Sequence, residues 1–211
     1  MPCLTCYFNG KVKCCSPGQR YESHPEEDRE AWLKKSNEKA KEEIEQLQAS
    51  GGIPEKIGME DGERFVPTMV SVAIDMRTGE ILSVGYSGRD HHKEAFSSEI
   101  AEKLQQRIDA VKEEAANDPT NKLFSEKRSY RDWSVSNCAE VDAVNKALMK
   151  DKTLEIKDIF INTRRVETKE RKNWIAFSGD YAPPCENCQR TFHDAVFLPF
   201  EGIQNIYDQK E

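Results

Sequence analysis

Two short cysteine motifs have the residue types and the spacing of a metal site. Residues 137–140 read Asn-Cys-Ala-Glu, and residues 184–188 read Pro-Cys-Glu-Asn-Cys. Each motif stands at the start of a predicted helix, where free N–H groups and the helix dipole stabilise a thiolate. The two cysteines of the second motif can bind one metal ion from the same side, and Cys138 would be the third protein ligand of that ion. Three protein ligands leave the fourth position of a tetrahedral zinc ion open, which is typical of catalytic zinc.

Glu140 follows Cys138 by two residues, which suits a carboxylate that exchanges protons with a water on the metal. A Cys- or His-x-Glu motif followed by Pro-Cys-x-x-Cys is the signature of zinc-dependent base deaminases. We therefore predict that Glu140 is catalytic and that the three cysteines bind zinc. Other interpretations stay open. Cys138 could be a small buried hydrophobe, the Cys-x-x-Cys pair a structural zinc clip or a redox pair, and Glu140 a carboxylate that favours the helix dipole.

These motifs make the chain similar to the cytidine-deaminase-like superfamily, and within it to the YwqJ-type deaminases of bacterial polymorphic toxin systems. The similarity rests on residues 138–140 (CAE), on residues 183–188 (PPCENC), and on a strand at 159–163 (IFINT) that leads into 164–166 (RRV). A predicted hairpin that ends at 85–88 (GYSG) fits the opening strands of the family. The similarity covers about residues 66–208.

The resemblance implies a three-layer α/β/α fold with a mixed sheet of about five strands. The implied ligands of one catalytic zinc ion are Cys138, Cys185 and Cys188. Glu140 would move protons while zinc-activated water replaces the amino group at C4 of cytosine, or at the equivalent carbon of another amino-substituted base. Ser136 and Asn137 would line the mouth of the pocket. The role that the family implies is that of a toxin effector, with an immunity protein as its partner.

Two polar segments near the motifs bear on the substrate class. Residues 164–172 hold five basic and two acidic side chains, and Trp174 and Phe177 follow them. Residues 127–133 also interleave basic and aromatic side chains, a pattern that suits a nucleic-acid strand with one base stacked or flipped out. We therefore expect DNA, single- or double-stranded, or RNA as the substrate. The predicted substrate contacts are Trp133, Ser136, Asn137, Arg164 and Arg165. The alternatives are a free nucleoside or nucleotide as the substrate, and aromatic residues that belong to the core.

The remaining pattern predicts the elements that position these motifs. Helices are predicted over 94–116, 137–150 and about 186–196, and strands over 68–75, 80–86, 156–162 and 202–207. The helices follow from apolar residues at three- and four-residue spacing, and the first two strands read as a hairpin joined by Arg-Thr-Gly. This order of elements predicts a mixed sheet with helices packed against it.

The first quarter of the chain differs in composition from the rest. Four of the seven cysteines lie there: Cys3, Cys6, Cys14 and Cys15. A second, structural zinc ion bound by these four is the less favoured alternative to free thiols. Residues 25–49 alternate acidic and basic side chains with a sparse apolar set, which predicts a solvated helix that docks weakly or not at all. We therefore divide the chain into residues 1–62, a tail with a charged helix, and residues 63–211, the deaminase domain.

The composition excludes several classes of protein. The 211 residues carry a formal charge of −7, which disfavours a bulk electrostatic nucleic-acid binder, although a local basic patch can override the total. The sequence contains no run of about 18 apolar residues, so it predicts no membrane span. The N-terminal residues contain no apolar stretch of the length that a secretory signal needs. We therefore expect a cytoplasmic site of action. A hypothesis of another class is a non-catalytic, zinc-stabilised module that binds a partner through its acidic N-terminal helix.

Overall fold

The computed structural model describes residues 6–8, 11–13, 24–54, 64–166 and 179–197. The helices are α1 (Glu26–Ser50), α2 (Glu102–Asn117), α3 (Ala139–Lys150) and α4 (Glu186–Thr191). The strands are β1 (Cys6–Phe8), β2 (Lys11–Lys13), β3 (Ile53–Pro54), β4 (Arg64–Phe65), β5 (Met69–Asp75), β6 (Glu80–Tyr86), β7 (Ile159–Arg165) and β8 (Val196–Phe197). None of the described helices is long and apolar enough to cross a membrane.

Four strands form the central mixed sheet in the order β6-β5-β7-β8. Strand β5 pairs antiparallel with both of its neighbours, so that Val72 lies opposite Val84 on β6 and Asn162 on β7. Strand β8 pairs parallel with β7. The predicted hairpin of β5 and β6 is confirmed, and its turn contains Gly79 with φ of +69°, a conformation that glycine adopts without strain.

Helices pack against both faces of this sheet. Along β5, Val70, Val72 and Ile74 pack in clusters with residues of α1, whereas Ala73 packs in the cluster that contains residues of α2, α3 and α4. Alternate residues of a strand point to opposite faces, so residues 70–75 are all buried because both faces are covered. The predicted mixed α/β class is therefore confirmed. The described part of the sheet has four strands, and the predicted strand over 202–207 lies outside the described residues.

Helix α1 packs closely on the sheet, so the expectation that it docks weakly or not at all was wrong. Its buried side chains form one stripe at spacings of four and three residues: Trp32, Ser36, Ala40, Ile44 and Leu47. The Trp32 ring lies 5.8 Å from the ring of Phe160 on β7, and the Asn162 side-chain amide donates to the Ser36 hydroxyl at 2.8 Å. The sequence-based prediction rested on the three large apolar residues of the stripe, Trp32, Ile44 and Leu47. Ser36 and Ala40 complete it, because small side chains let a helix approach the strands closely.

Several elements begin or end at other residues than the sequence predicted. Helix α2 begins eight residues later, because a short 3-10 turn precedes it and the Asn145 side chain binds the Ala101 N–H at its start, at 2.8 Å. Helix α3 begins two residues later and β7 three residues later than predicted. Helix α4 ends at Thr191, and Val196, predicted as the end of that helix, pairs with β7.

Candidate metal centre

The three cysteines predicted as metal ligands come together at the starts of two helices. Cys138 lies directly before α3, Cys185 directly before α4, and Cys188 in the first turn of α4. Their sulfur atoms all lie within 4.8 Å of one another, and the Sγ atoms of Cys138 and Cys185 are 3.4 Å apart. Cys138 and Cys188 are buried and Cys185 is half-buried. The three sulfurs are therefore close enough to bind one metal ion, and within the described ranges no second cluster of this kind occurs.

Local backbone geometry makes two of these cysteines the residues that precede a helix. Cys138 is extended, with φ of −78° and ψ of 147°, and its carbonyl accepts hydrogen bonds from the backbone N–H groups of Val141 and Asp142. Cys185 is also extended, and its carbonyl accepts from the N–H of Gln189. The first N–H groups of a helix have no intrahelical partner, so this position favours a negatively charged side chain.

The three thiols have different pKa values because they lie close together, and a thiolate at one of them is stabilised by hydrogen bonds from the other two. Hydrogen bonds from Cys138 and Cys188 hold the pKa of the Cys185 thiol well below its usual range, and the charge of Arg131 acts in the same direction. The hydrogen bond with Cys185 raises the pKa of Cys138, and burial raises the pKa of Cys188. The other two thiols lose their protons only if a cation offsets the added negative charge. This donor set therefore fits a metal ion that prefers sulfur.

A carboxylate is buried beside the cysteine cluster. Glu140 lies in the first turn of α3 and is 5% exposed. Burial raises the pKa of Glu140 to about 7, and the negative charge of Cys185 adds to this effect, whereas hydrogen bonds with the side chains of Cys188 and Thr163 act in the opposite direction. Because Thr163 lies on β7, the sheet, α3 and the cysteine cluster meet at this carboxylate. A carboxyl group that titrates near neutral pH can serve as a general acid and base.

A close approach of α3 to β6 determines where the first turn of α3 lies. A Cβ added at Gly85 would lie 2.1 Å from the backbone nitrogen of Ala143 and 2.4 Å from the carbonyl oxygen of Ala139. The Ser83 hydroxyl also donates to the Ala143 carbonyl at 2.6 Å. Because the neighbouring atoms belong to the backbone, any side chain at position 85 would displace the helix. From the sequence, Gly85 is predicted only as part of the end of the hairpin, although a glycine within a strand pattern is a signal of close backbone approach.

The loop directly before Cys138 is anchored to the segment that follows β6. The Asn137 side-chain oxygen accepts a hydrogen bond from the backbone N–H of Asp90 at 2.9 Å. The Asp90 carboxylate accepts in turn from the Ser134 hydroxyl at 2.6 Å, and the Ser136 hydroxyl lies 3.1 Å from that of Ser134. The structure thus brings Ser136 and Asn137, two of the predicted pocket residues, into one hydrogen-bonded loop beside the first cysteine.

The two aromatic residues of the segment 127–133 have different environments. The Trp133 side chain is 40% exposed, and its indole N–H donates to the Cys138 sulfur at 3.4 Å. Tyr130 is buried, and the guanidinium carbon of Arg190 lies 3.8 Å from the centre of its ring. Trp133 is therefore available at the cluster, whereas Tyr130 belongs to the core.

Two of the three basic residues of the same segment form ion pairs with acidic side chains. Lys127 forms an ion pair with Asp132, and Arg128 forms one with Glu113. These pairs lower the positive potential that the sequence indicated for this surface. Arg131 contributes its positive charge at Cys185.

The two arginines at the end of β7 alternate between the faces of the sheet. Arg164 donates to the side-chain oxygen of Asn37 on α1, and its guanidinium carbon lies 5.6 Å from the centre of the Tyr181 ring. Arg164 therefore lies on the α1 face, and the structure does not bring it into contact with the cysteine cluster. Arg165 alternates to the other face and is half-buried, and its backbone N–H donates to the carbonyl of Asp180 at 2.9 Å.

Several predicted residues lie outside the described part of the chain. They are Cys3, Cys14 and Cys15, the side chain of Cys6, and the aromatic residues Trp174 and Phe177. The N-terminal zinc site and the basic, aromatic insertion therefore stay predictions. Comparisons of the chain with protein-family models, with curated proteins and with solved structures found no match.

Proposed function

We propose that the protein is a zinc-dependent deaminase that hydrolyses cytosine to uracil. The observation that carries this proposal is the burial of the Glu140 carboxylate beside the cluster of Cys138, Cys185 and Cys188. A structural zinc clip is closed by four protein ligands and needs no acid–base group. Three clustered sulfurs among the described residues, together with a carboxyl group whose pKa is raised to about 7, correspond better to a catalytic site.

The packing of the sheet supports a three-layer cytidine-deaminase-like fold for the chain. Helices α3 and α4, which carry the cysteine motifs, share one hydrophobic cluster on one side of the sheet. Helix α1 shares its clusters with the strand residues that point to the other side. In this proposal, the layer formed by α3 and α4 positions the metal ligands and Glu140. Helix α1 covers the opposite face of the sheet.

Zinc suits the donor set because thiolates with one open coordination position are among its catalytic environments. The residues that would hold it are Cys138, Cys185 and Cys188. When bound, zinc supplies an activated water as the nucleophile. The burial of Cys138 and Cys188 keeps bulk water away from two of the ligands and strengthens their interaction with a cation.

Glu140 moves the protons in the proposed reaction. Its carboxylate accepts a proton as the water oxygen bonds to C4, donates a proton to the ring nitrogen N3, and assists proton transfer to the leaving amino group. The C4–N bond then breaks, ammonia leaves, and the water oxygen becomes the carbonyl oxygen of uracil. Burial raises the pKa of Glu140 to about 7 in the absence of a bound cation, and a carboxyl group in this range suits a residue that both accepts and donates protons.

We propose a nucleic-acid strand as the carrier of the base. The exposed Trp133 ring, whose N–H contacts Cys138, offers an aromatic surface on which a base can stack next to the metal. Because Lys127 and Arg128 already have acidic partners, the strand would make few phosphate contacts on this side. We therefore expect binding with a shallow dependence on salt concentration.

The test compares the purified protein with its Glu140→Gln variant, which keeps the size of the side chain and removes its charge. Both proteins are assayed for metal content by mass spectrometry. They are also assayed for uracil, as a base within the nucleic acid or as uridine, after incubation with single-stranded DNA, duplex DNA, RNA and free cytidine. We expect one zinc ion per chain in both proteins, and at least about a 100-fold slower formation of uracil in the variant.

Three outcomes would contradict parts of this proposal. Bound zinc with no uracil from any substrate would overturn the enzyme and favour a zinc-stabilised interaction module. Turnover of cytidine alone would overturn the nucleic-acid substrate. For the toxin role, nucleic acid is sequenced from cells that express either protein. We expect C-to-T transitions and arrested growth only with the unmodified protein, and normal growth without transitions would overturn that role.

A further inference from the structure

A buried pair of polar side chains joins the two cysteine-bearing segments. Asn187 lies between the second and third cysteines on α4, and Ser129 lies in the loop that leads to Cys138. Both side chains are fully buried, and the Asn187 amide nitrogen lies 3.0 Å from the Ser129 hydroxyl. The Asn187 side-chain oxygen also accepts a hydrogen bond from the backbone N–H of Tyr130 at 2.9 Å.

Proton counting determines the direction of these hydrogen bonds. The backbone N–H of Tyr130 can only donate, so the atom of Asn187 that faces it is the oxygen. The single hydroxyl proton of Ser129 goes to the carbonyl oxygen of Trp133 at 2.6 Å. The Ser129 oxygen therefore accepts from the Asn187 amide and from the backbone N–H of Arg131, the latter at 3.1 Å. Removing the Asn187 side chain takes the acceptor from the buried Tyr130 N–H, and removing the Ser129 hydroxyl takes the donor from the Trp133 carbonyl.

The same network ends on a predicted metal ligand. Ser129 holds the backbone of Trp133, and the Trp133 indole N–H donates to the Cys138 sulfur at 3.4 Å. A continuous series of hydrogen bonds and short covalent links thus runs from the first turn of α4 to Cys138. Helix α4 has only six residues, so its orientation depends on such tertiary contacts rather than on its own stability.

We propose that Asn187 and Ser129 are positioning residues that hold Cys138 at metal-binding distance from Cys185 and Cys188, and that Trp133 orients the Cys138 sulfur toward the ion. This inference rests on the proposed metal site and goes beyond it, because it assigns the alignment of ligands from two helices to a pair that binds no metal itself. Hydrogen-bonding groups behind metal ligands typically contribute about 10- to 100-fold to metal affinity.

The test measures Zn²⁺ affinity of the full chain by competition with a chelator. The matched control for Asn187→Ala is Asn145→Ala. Asn145 is equally buried, accepts from the Ala101 N–H at 2.8 Å and donates to the Glu99 carbonyl at 3.0 Å, but it joins α3 to the start of α2. We expect about 10- to 100-fold weaker zinc binding in Asn187→Ala and less than about a threefold change in Asn145→Ala. The urea concentration at the unfolding midpoint should fall by a similar amount in both variants.

Equal zinc affinities for the two alanine variants would overturn the positioning role. If Asn187→Ala does not fold, Ser129→Ala replaces it, because it removes one hydroxyl group, adds no charge and keeps the hydrogen bond from the Tyr130 N–H to Asn187. We expect intermediate zinc affinity for that variant, and unchanged affinity would overturn the inference. A wild-type chain that binds no zinc would instead overturn the proposed metal site itself, which separates the two failures.

A spectroscopic readout tests the link to Cys138 without altering the core. Trp133→Phe keeps an aromatic ring at a partly exposed position, removes the indole N–H and replaces the two-ring indole by a single ring. In the Co²⁺-substituted protein, we expect one cobalt ion per chain and a shifted sulfur-to-cobalt charge-transfer band, because the Cys138 thiolate loses a hydrogen bond. A spectrum identical to that of the unmodified protein would overturn the orienting role of Trp133.

Discussion

The two faces of the central sheet are covered by helices in different ways. On one face, α1 packs through the stripe that runs from Trp32 to Leu47, and polar side chains such as Asn162 and Ser36 lie within the interface. On the other face, α3 approaches β6 so closely that Gly85 has no room for a Cβ. Side chains can adjust to small changes, whereas backbone contacts cannot. The α1 face can therefore accommodate small side-chain changes, whereas the backbone contact at Gly85 fixes where α3 lies on the other face.

A half-buried carboxylate on the α1 side and a buried carboxylate on the α3 side have pKa values that are shifted in opposite directions. On the α1 side, burial acts to raise the pKa of Glu43, but hydrogen bonds from Lys39 and Tyr86 outweigh it and lower the pKa. On the α3 side, burial dominates and raises the pKa of Glu140 to about 7. A carboxylate with strong partners stays ionised and stabilises the fold. A buried carboxyl group that titrates near neutral pH is a candidate for chemistry.

The largest expected effect on stability comes from the α1 face. Trp32→Ala removes a buried indole that contacts Phe160, and we expect a loss of about 3–5 kcal/mol in the free energy of unfolding. Urea denaturation measures this loss. Zinc affinity of the folded fraction should stay within about threefold of the unmodified protein. A selective loss of zinc binding in folded Trp32→Ala would show that the two faces are not independent.

A smaller loss of stability with a larger loss of metal binding is expected from the α3 face. Gly85→Ala forces α3 away from β6, with an expected cost of about 3 kcal/mol and weaker zinc binding, because Cys138 moves with the helix. The matched control is Gly79→Ala, where nothing lies within 4 Å of an added Cβ and only the positive φ is unfavourable. There we expect about 1 kcal/mol and unchanged zinc affinity. Equal zinc affinities in the two variants would contradict the role of Gly85.

The smallest expected effect is a pH dependence on the α1 face. The pKa of Glu43 is lowered in the folded protein, so its contribution is present above the unfolded value of about 4.3 and is lost as the pH falls through the folded-state pKa. Because Glu43 is partly solvated, we expect at most about 1 kcal/mol. Urea midpoints between neutral and acid pH for the unmodified protein and Glu43→Gln measure this, and parallel pH profiles would contradict it.

The sequence was sufficient where the signal is local. The β-branched runs around Arg-Thr-Gly predicted the hairpin of β5 and β6, and the pattern of residues 137–150 predicted α3 to within two residues. The cysteine spacing also predicted which thiols meet, because Cys185 and Cys188 share one helical turn. Their meeting with Cys138 was predicted from the combination of the two motifs, and the sulfur cluster confirms that the three lie within reach of one ion.

The sequence was not sufficient where packing depends on small or polar residues. Ser36 and Ala40 have weak hydrophobic signals, so the buried stripe of α1 was underestimated. The sequence placed Arg164 just after a strand, but it lies within β7, and the alternation of that strand makes it face α1 rather than the cysteines. The roles of Gly85 and Asn187 depend on their neighbours in space, which are the backbone of α3 and the loop at Ser129 and Tyr130. A single sequence does not reveal those neighbours.

By itself, the sequence determined the chemical inventory of this protein: three thiols and a carboxyl group at helix starts, with a mixed α/β pattern to carry them. Those properties depend on residue type and on spacing along the chain. Only the tertiary structure decided which groups are buried together, and therefore which pKa values are shifted and which arginines reach the cluster. The physical reason is that burial and charge interactions depend on distances in space between segments that are far apart in sequence.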